Sequence, residues 1–273
     1  MAKLRLRKIT TMKADLHIHT TKSDGSKTPI EVVHWAKNKG LDVMAITDHD
    51  SVDGLDEGRK EAEKLGIKFV DGIELSTFST CEIHVLGYNI DYKNPDFVQE
   101  LRAVKDMRKD RNKRIAQKLQ TLGIDIDIDF DSDGVGRMNM ARAMVKAGYC
   151  KDTSEAFDKY LGVGAKAYCE CRRLTPVEAV KLIKKHGGFA SVAHPKKYLL
   201  DKRLELLLGG LKQFGLDGIE INYPSHTEQD KIAFGKLAEK YRLLPTGGSD
   251  YHGDEDKNFV YDLDPRTAKK LIK

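Results

Sequence analysis

Residues 13–50 read KADLHIHTTKSDGSKTPIEVVHWAKNKGLDVMAITDHD. KADLHIHT is an apolar run in which histidine recurs at alternate positions, the period of a strand. TPIEVVHWAKNKG has the helical period, with Thr28 as its cap, Pro29 opening it and Gly40 closing it. LDVMAITDH is a second strand. Strand, helix and strand in this order favour parallel pairing through a right-handed crossover. Outward from here, VDGLDEGRKEAEKLG is a helix, IKFVDGIELS a third strand and CEIHVLGYNI a further one. Beyond residue 165 the same rhythm returns. TPVEAVKLIKKHGG, LELLLGGLKQFG and EQDKIAFGKLAEKYR are helices between the strands FASVAHP, DGIEINYP and LLPTGGSDYH. The fold class is α/β.

The middle breaks the rhythm. Residues 94–164 are mostly helical and highly charged, which predicts a helical subdomain inserted into a barrel domain made of residues 12–93 and 165–273. The basic run at residues 105–114 reads as a solvated helix face rather than a nucleic-acid contact. IDIDIDFDSDG, residues 124–134, alternates apolar and acidic residues and is expected to be a half-exposed strand rather than a calcium loop. The 273 residues suffice for one large α/β domain with such an insertion. A net charge of +5 permits an anionic substrate without demanding one. Cys81, Cys150, Cys169 and Cys171 form no CxxC pair, so reduced thiols in a cytoplasmic protein are expected and a cysteine-rich zinc site is not. No stretch approaches the roughly 18 apolar residues that a membrane span requires.

The histidines carry the functional signal. Six of the nine sit in or at the end of strand-like runs: His17, His19, His49, His84, His194 and His252. Asp24, Glu74 and Asp250 belong to the same segments. In a βα barrel the carboxyl ends of the strands converge on one face, so these residues are expected to meet in one cleft. His17 and His19, and again Asp250 and His252, are spaced to point the same way from a strand. Imidazole with carboxylate suits zinc, manganese or iron. Nine ligands exceed the needs of one ion, serve two with some to spare, and are fully used by three. Such a cluster would leave surplus positive charge, which attracts phosphate and activates water. His34 and His186, in or near helices, read as structural; His226, after DGIEINYP, is a candidate substrate contact.

DLHIHTTKSDG, GLDVMAITDHDSVDG, GIELS, IHVLGY, GGFASVAHP and TGGSDYHG occur in an order that resembles the PHP (polymerase and histidinol phosphatase) phosphoesterases of the amidohydrolase superfamily. Within it the likeness is to nucleoside 3′,5′-bisphosphate phosphatases, some of which trim RNA from its 5′ end. The resemblance implies a distorted (β/α)7 TIM-like barrel holding three divalent ions. His17, His19, Asp250 and a bridging Glu74 would hold one; Glu74, His84 and His194 a second; Asp24, His49 and His252 a third. Two departures stand out. In GVGRMNMARAMV, with Arg137 as a candidate substrate contact, Asn139 occupies the place of a histidine and can hydrogen-bond but not transfer a proton near neutral pH. After AHP, Lys196 and Lys197 replace Gly-Arg, so Lys197 would meet a phosphate as a point charge.

The expected activity is hydrolysis of a phosphomonoester on a nucleotide or RNA 5′ end, with a hydroxide bridging two ions as nucleophile. Glu74, Asp250 and Asp48 are its expected catalytic residues. Asp15 and Asp48, each near a ligand, are candidates for supporting ligands or accepting a proton. The competing readings are a small-molecule phosphatase, such as one acting on histidinol phosphate, and a non-catalytic metal-stabilised binding module.

Overall fold

The computed structural model describes residues 11–130, 132, 135–170, 173–197, 202–253 and 259–272. β1 (Lys13–Ile18) is buried at every position but its first, because it runs through the molecule's interior. α1 (Pro29–Asn38) begins with a reciprocal cap: Thr28 accepts from the Glu31 N–H while the Glu31 carboxylate accepts from Thr28 N. It buries Val32, Val33 and Ala36 against Met44 and Ile46 of β2 (Val43–Ile46), joined by Leu55 and Ala62 of α2 (Leu55–Leu65). β3 (Lys68–Phe78) and β4 (Glu82–Tyr88) follow.

After the helices α3 (Pro95–Thr121), α4 (Arg137–Lys146) and the short α5 (Thr153–Ala156), the chain continues through α6 (Pro176–Lys185) and β5 (Phe189–Val192). Then come α7 (Lys202–Lys212), β6 (Gly218–Asn222), α8 (Glu228–Lys240) and β7 (Leu244–Gly247). β8 (Tyr261–Asp262) and α9 (Pro265–Leu271) end the described chain.

These strands form one eight-stranded sheet, ordered β7-β6-β5-β4-β3-β2-β1-β8. It curls until its ends meet. Ile18 bridges Tyr251 in parallel, the Asp250 N–H donates to His17 O at 2.9 Å, and the His19 N–H donates to Tyr251 O at 2.9 Å. The result is a nearly closed, distorted barrel. β1, β2 and β3 pair in parallel, as do β5, β6 and β7. β4 runs antiparallel to both β3 and β5. Only residues 79–81 separate β3 from β4, which allows a hairpin turn but no crossover helix.

Residues 124–130 form no strand, contrary to expectation. Ile124 and Ile126 are buried and Asp125, Asp127 and Asp129 exposed, so the alternation is real, but no neighbouring strand pairs with it. The isoleucines pack instead with Ile115 and Leu119 of α3, Met140 and Met144 of α4, and Leu161. Asp131, Asp133 and Gly134 lie outside the described residues. β8 and α9 went unread in the sequence; Leu263, Ala268 and Leu271 pack beside Ala14 and Val43. Cys150 and Cys169 are buried free thiols and Cys81 is a partly buried one, while Cys171 lies outside the described residues. No helix among the described residues is long and apolar enough to cross a membrane.

Candidate metal centre

β1 delivers His17 and His19, two residues apart and fully buried, to the same side of the strand. The loop after β1 adds Asp24, and His49 follows β2, bridging to Glu74 of β3. β4 supplies His84. His194 follows β5, and Asp250 and His252 follow β7. All nine residues named from the sequence meet at one end of the barrel.

Glu74 is the hub. Its Oε1 lies 3.0 Å from His84 Nδ1 and 2.9 Å from His194 Nε2. Its Oε2 lies 3.3 Å from the Nε2 atoms of both His17 and His19 and 3.1 Å from His49 Nδ1. Asp250 Oδ1 faces the same two imidazoles, 3.4 Å from His17 Nε2 and 3.2 Å from His19 Nε2. Asp24 Oδ1 is 3.2 Å from His252 Nε2, and Asp24 Oδ2 is 3.9 Å from His49 Nε2.

Metal-ligand spacing occurs in three overlapping groups: His17, Glu74, His194 and Asp250; His49, Glu74 and His84; and His19, Asp24, His49 and His252. His19 thus stands between two groups, reaching Glu74 and Asp250 through Nε2 while Nδ1 lies 3.7 Å from Asp24 Oδ1. Buried atoms without a hydrogen bond include His17 Nε2, both ring nitrogens of His19 and Glu74 Oε2. Such atoms are costly to bury unless something else satisfies them. A mixed nitrogen and oxygen donor set of this kind fits divalent transition metals.

The electrostatics agree. Burial alone would lower His17 and His19, but the surrounding carboxylates raise His17 well above its ordinary value and His19 to about 10. His84 is likewise driven to about 9, Glu74 overcoming burial. Burial prevails at His49 and His194, lowered to about 3, with the Lys197 charge adding to the effect at His194. Burial would raise Glu74, Asp24 and Asp250, yet their cationic neighbours hold all three well below the usual carboxylate range. The site therefore keeps its carboxylates ionised and gathers positive charge around them. Metal ions would take the place of the protons on the imidazoles.

Above the ring opens a cavity of about 490 Å³, walled by Arg108, Arg111, Arg137, Lys197 and Tyr223 among others. Arg108 Nη1 donates to Asp50 Oδ2 at 2.8 Å and Arg137 Nη2 to Glu82 Oε2 at 2.6 Å. Lys197 Nζ lies 2.7 Å from Asp250 Oδ2 and 5.2 Å from the centre of the Tyr223 ring. The Tyr223 hydroxyl donates to the same Asp250 oxygen at 2.9 Å. A larger cavity, about 720 Å³, opens beside Asp71 and Asn89 near the opposite strand ends, away from the three ligand groups.

The PHP domain family matches residues 15–192, which contain six of the nine clustered side chains. The chain belongs to this family. It is 34% identical over 248 residues to a 5′-3′ exoribonuclease from Haemophilus influenzae, covering 89% of this chain and 90% of that protein. It is 32% identical over 263 residues to a 3′,5′-nucleoside bisphosphate phosphatase from Chromobacterium violaceum, covering 92% of each. A solved structure of an amidohydrolase from Chromobacterium violaceum, with bound sulfate and no metal, superposes with a TM-score of 0.87 at 31% identity. The match covers 95% of this chain and 97% of that one.

Three of the sequence-derived candidates occupy different places in this PHP domain. Asp48 accepts from Thr20 N and Oγ1, each at 2.7 Å, and from Ser23 Oγ at 2.5 Å. Its oxygens fasten the loop that carries Asp24 and are not turned to the cavity. Asn139 Oδ1 accepts from Gly136 N at 2.8 Å, capping α4, and Asn139 is not among the residues lining the cavity. His226 donates from Nδ1 to Ile221 O at 2.8 Å and packs tilted against Tyr223 and edge-on to Phe234, one layer behind the cavity wall. Arg137 and Lys197 do line the cavity. Asp15 supports the seam of the barrel, accepting from the N–H groups of His17 at 3.1 Å and Ser249 at 2.9 Å. Sequence reasoning missed Tyr223, Arg108, Arg111 and Glu220. Tyr223 and Glu220 carried a signal, since both lie in the strand segment DGIEINYP.

Proposed function

We propose that the protein is a metal-dependent phosphoesterase that removes a terminal phosphate from nucleotides, with nucleoside 3′,5′-bisphosphates and RNA 5′ ends as its substrate class. One observation carries this reading: six imidazoles and three carboxylates cluster at the base of a cavity whose wall is basic, and four of those imidazoles line it. The names of the two relatives support the nucleotide class. On this reading three divalent transition-metal ions, manganese, iron or zinc, would share the nine residues, with Glu74 common to two of the groups. Residues 94–164 act as a helical subdomain that supplies Arg108, Arg111 and Arg137 to the wall.

When bound, the ions supply Lewis acidity and a nucleophile at neutral pH. Phosphate binding falls to the chain itself. Arg108, Arg111 and Arg137 present donors to a phosphate entering above the ring, and their guanidinium forks suit its geometry. Tyr223, whose hydroxyl burial and the Asp250 carboxylate push far up, stays protonated and fixes Asp250.

The test is phosphate release by the purified protein with manganese(II). Adenosine 3′,5′-bisphosphate and a 5′-phosphorylated oligoribonucleotide should turn over, and histidinol phosphate at least tenfold more slowly. Preference for histidinol phosphate would replace the substrate class, and no hydrolysis of any of the three would leave a metal-stabilised binding module.

Lys197 adds a second test. Its ammonium stands at the cavity wall beside Asp250, within reach of a phosphate oxygen. Lys197→Ala should lower kcat/KM by about ten- to a hundredfold, the scale of a lost charge-assisted contact. Lys197→Arg should do less harm because the cation survives. Steady-state kinetics within twofold of wild type for the alanine variant would remove Lys197 from the site.

A further inference from the structure

Glu220 lies in β6, away from the sequence motifs, and is fully buried. Both its oxygens are engaged. Oε1 lies 3.2 Å from His17 Nδ1, and Oε2 accepts from the backbone N–H of His194 at 2.7 Å. An ionised carboxylate can only accept, so a metal-bound His17 would carry its proton on Nδ1 toward Glu220 and leave Nε2, which faces Glu74 and Asp250, for the ion. The second contact serves a different purpose. His194 has φ +23°, in the left-handed region that a branched side chain rarely adopts, and the Glu220 bond holds the N–H of that turn.

We infer that Glu220 is a positioning residue that sets two metal ligands at once, the ring of His17 and the backbone of His194. The inference rests on the metal centre proposed above. It gives one carboxylate on β6 control over ligands that arrive from β1 and from the loop after β5. Glu74 also touches both, but at the Nε2 atom of each ring, whereas Glu220 meets His17 at Nδ1 and His194 at its backbone N–H. Glutamine cannot substitute. Its amide has a single oxygen, and both partners are donors, so either His17 or His194 must face an NH2 group.

Manganese(II) affinity, measured by competition with a fluorescent chelator, is the deciding readout. Glu220→Gln should bind manganese(II) about ten- to a hundredfold more weakly than wild type, the usual scale for losing an outer hydrogen bond to a ligand. Its kcat should recover to within about fivefold at saturating metal, with KM for the nucleotide unchanged. Ser191→Ala is the control. It removes a buried 2.9 Å bond to Thr246 in the strands flanking β6 and touches no ligand. It should bind manganese(II) like wild type. Equal affinities for Glu220→Gln and wild type, or an equal loss in Ser191→Ala, would overturn the inference. Wild-type protein that takes up no manganese(II) would overturn the metal centre and this inference with it. If Glu220→Gln does not fold, nitrogen-15 NMR of histidine-labelled, zinc-loaded wild type carries the test. His17 should show the proton on Nδ1, and a proton on Nε2 would refute the assignment.

Discussion

Glu74→Gln is expected to lower kcat by about a thousandfold or more while leaving the fold in place. The reason lies in how the two oxygens divide the site. Oε1 faces His84 and His194, and Oε2 faces His17, His19 and His49. A glutamine keeps the shape but removes the charge that offsets the cations on either side. It also aims an NH2 group at one set of imidazoles, where a ligand oxygen is needed. On the proposed reading Glu74 would hold two ions, so its loss would remove both the nucleophile and the charge stabilisation they supply, each worth orders of magnitude in rate. Steady-state kinetics with saturating manganese(II), elemental analysis and thermal melting check the three parts of the expectation. Retention of more than about a tenth of wild-type kcat would end the bridging role.

The same geometry explains why the ligands were legible and the supporting residues less so. His17 lies in β1 and His19 one residue past its end, still extended, so their spacing of two places both on one face, and no tertiary information is needed to see it. The converse misleads. Asp48 sits next to His49 in sequence, which invites a shared role, but neighbouring residues leave an extended chain in opposite directions. The Asp48 carboxylate accordingly meets Thr20 and Ser23. Asn139 was read from the family resemblance as standing in for a histidine, whereas its local geometry makes it part of the cap of α4. His226 follows a strand that ends at the site, yet its bond to Ile221 O turns it into the packing behind Tyr223.

Glu220 could have been found. A lone carboxylate inside the apolar strand GIEIN must either be paired or point at something charged, because an isolated buried charge is too costly. The antiparallel β4 was also within reach. The gap between GIELSTF and EIHVLGY is too short for a crossover, so a hairpin was the remaining connection. The barrel's closure was legible only through the family resemblance. It depends on TGGSDYH returning to β1, a contact between residues far apart in sequence that no local pattern encodes.

That closure supplies the second large expected effect, from Gly248→Ala. A methyl group on Gly248 would overlap His17 Cβ and lie 2.5 Å from His17 N and 2.8 Å from His17 Cα. Real side chains essentially never approach a backbone so closely, and a strand in mid-barrel cannot step aside. Relief must come from the seam, where Asp250 N bonds His17 O and His19 N bonds Tyr251 O. Moving the segment after β7 outward by about an ångström carries Asp250 and His252 away from the remaining ligands. Misplacement on that scale can cost about a hundredfold in rate. Overpacking adds a stability loss of about 1–3 kcal/mol or more, so the melting temperature should fall by about 5–10 °C for a chain of this size. Gly210→Ala gives the contrast. It lies within α7 with open space around it, where alanine favours the helix by about 1 kcal/mol. It should melt at or above wild type with full activity. If Gly248→Ala also kept wild-type melting and metal content, the seam between the first and last parallel strands would have to be looser than its hydrogen bonds imply. The metal ligands would then owe their placement to their own loops rather than to the closing of the barrel.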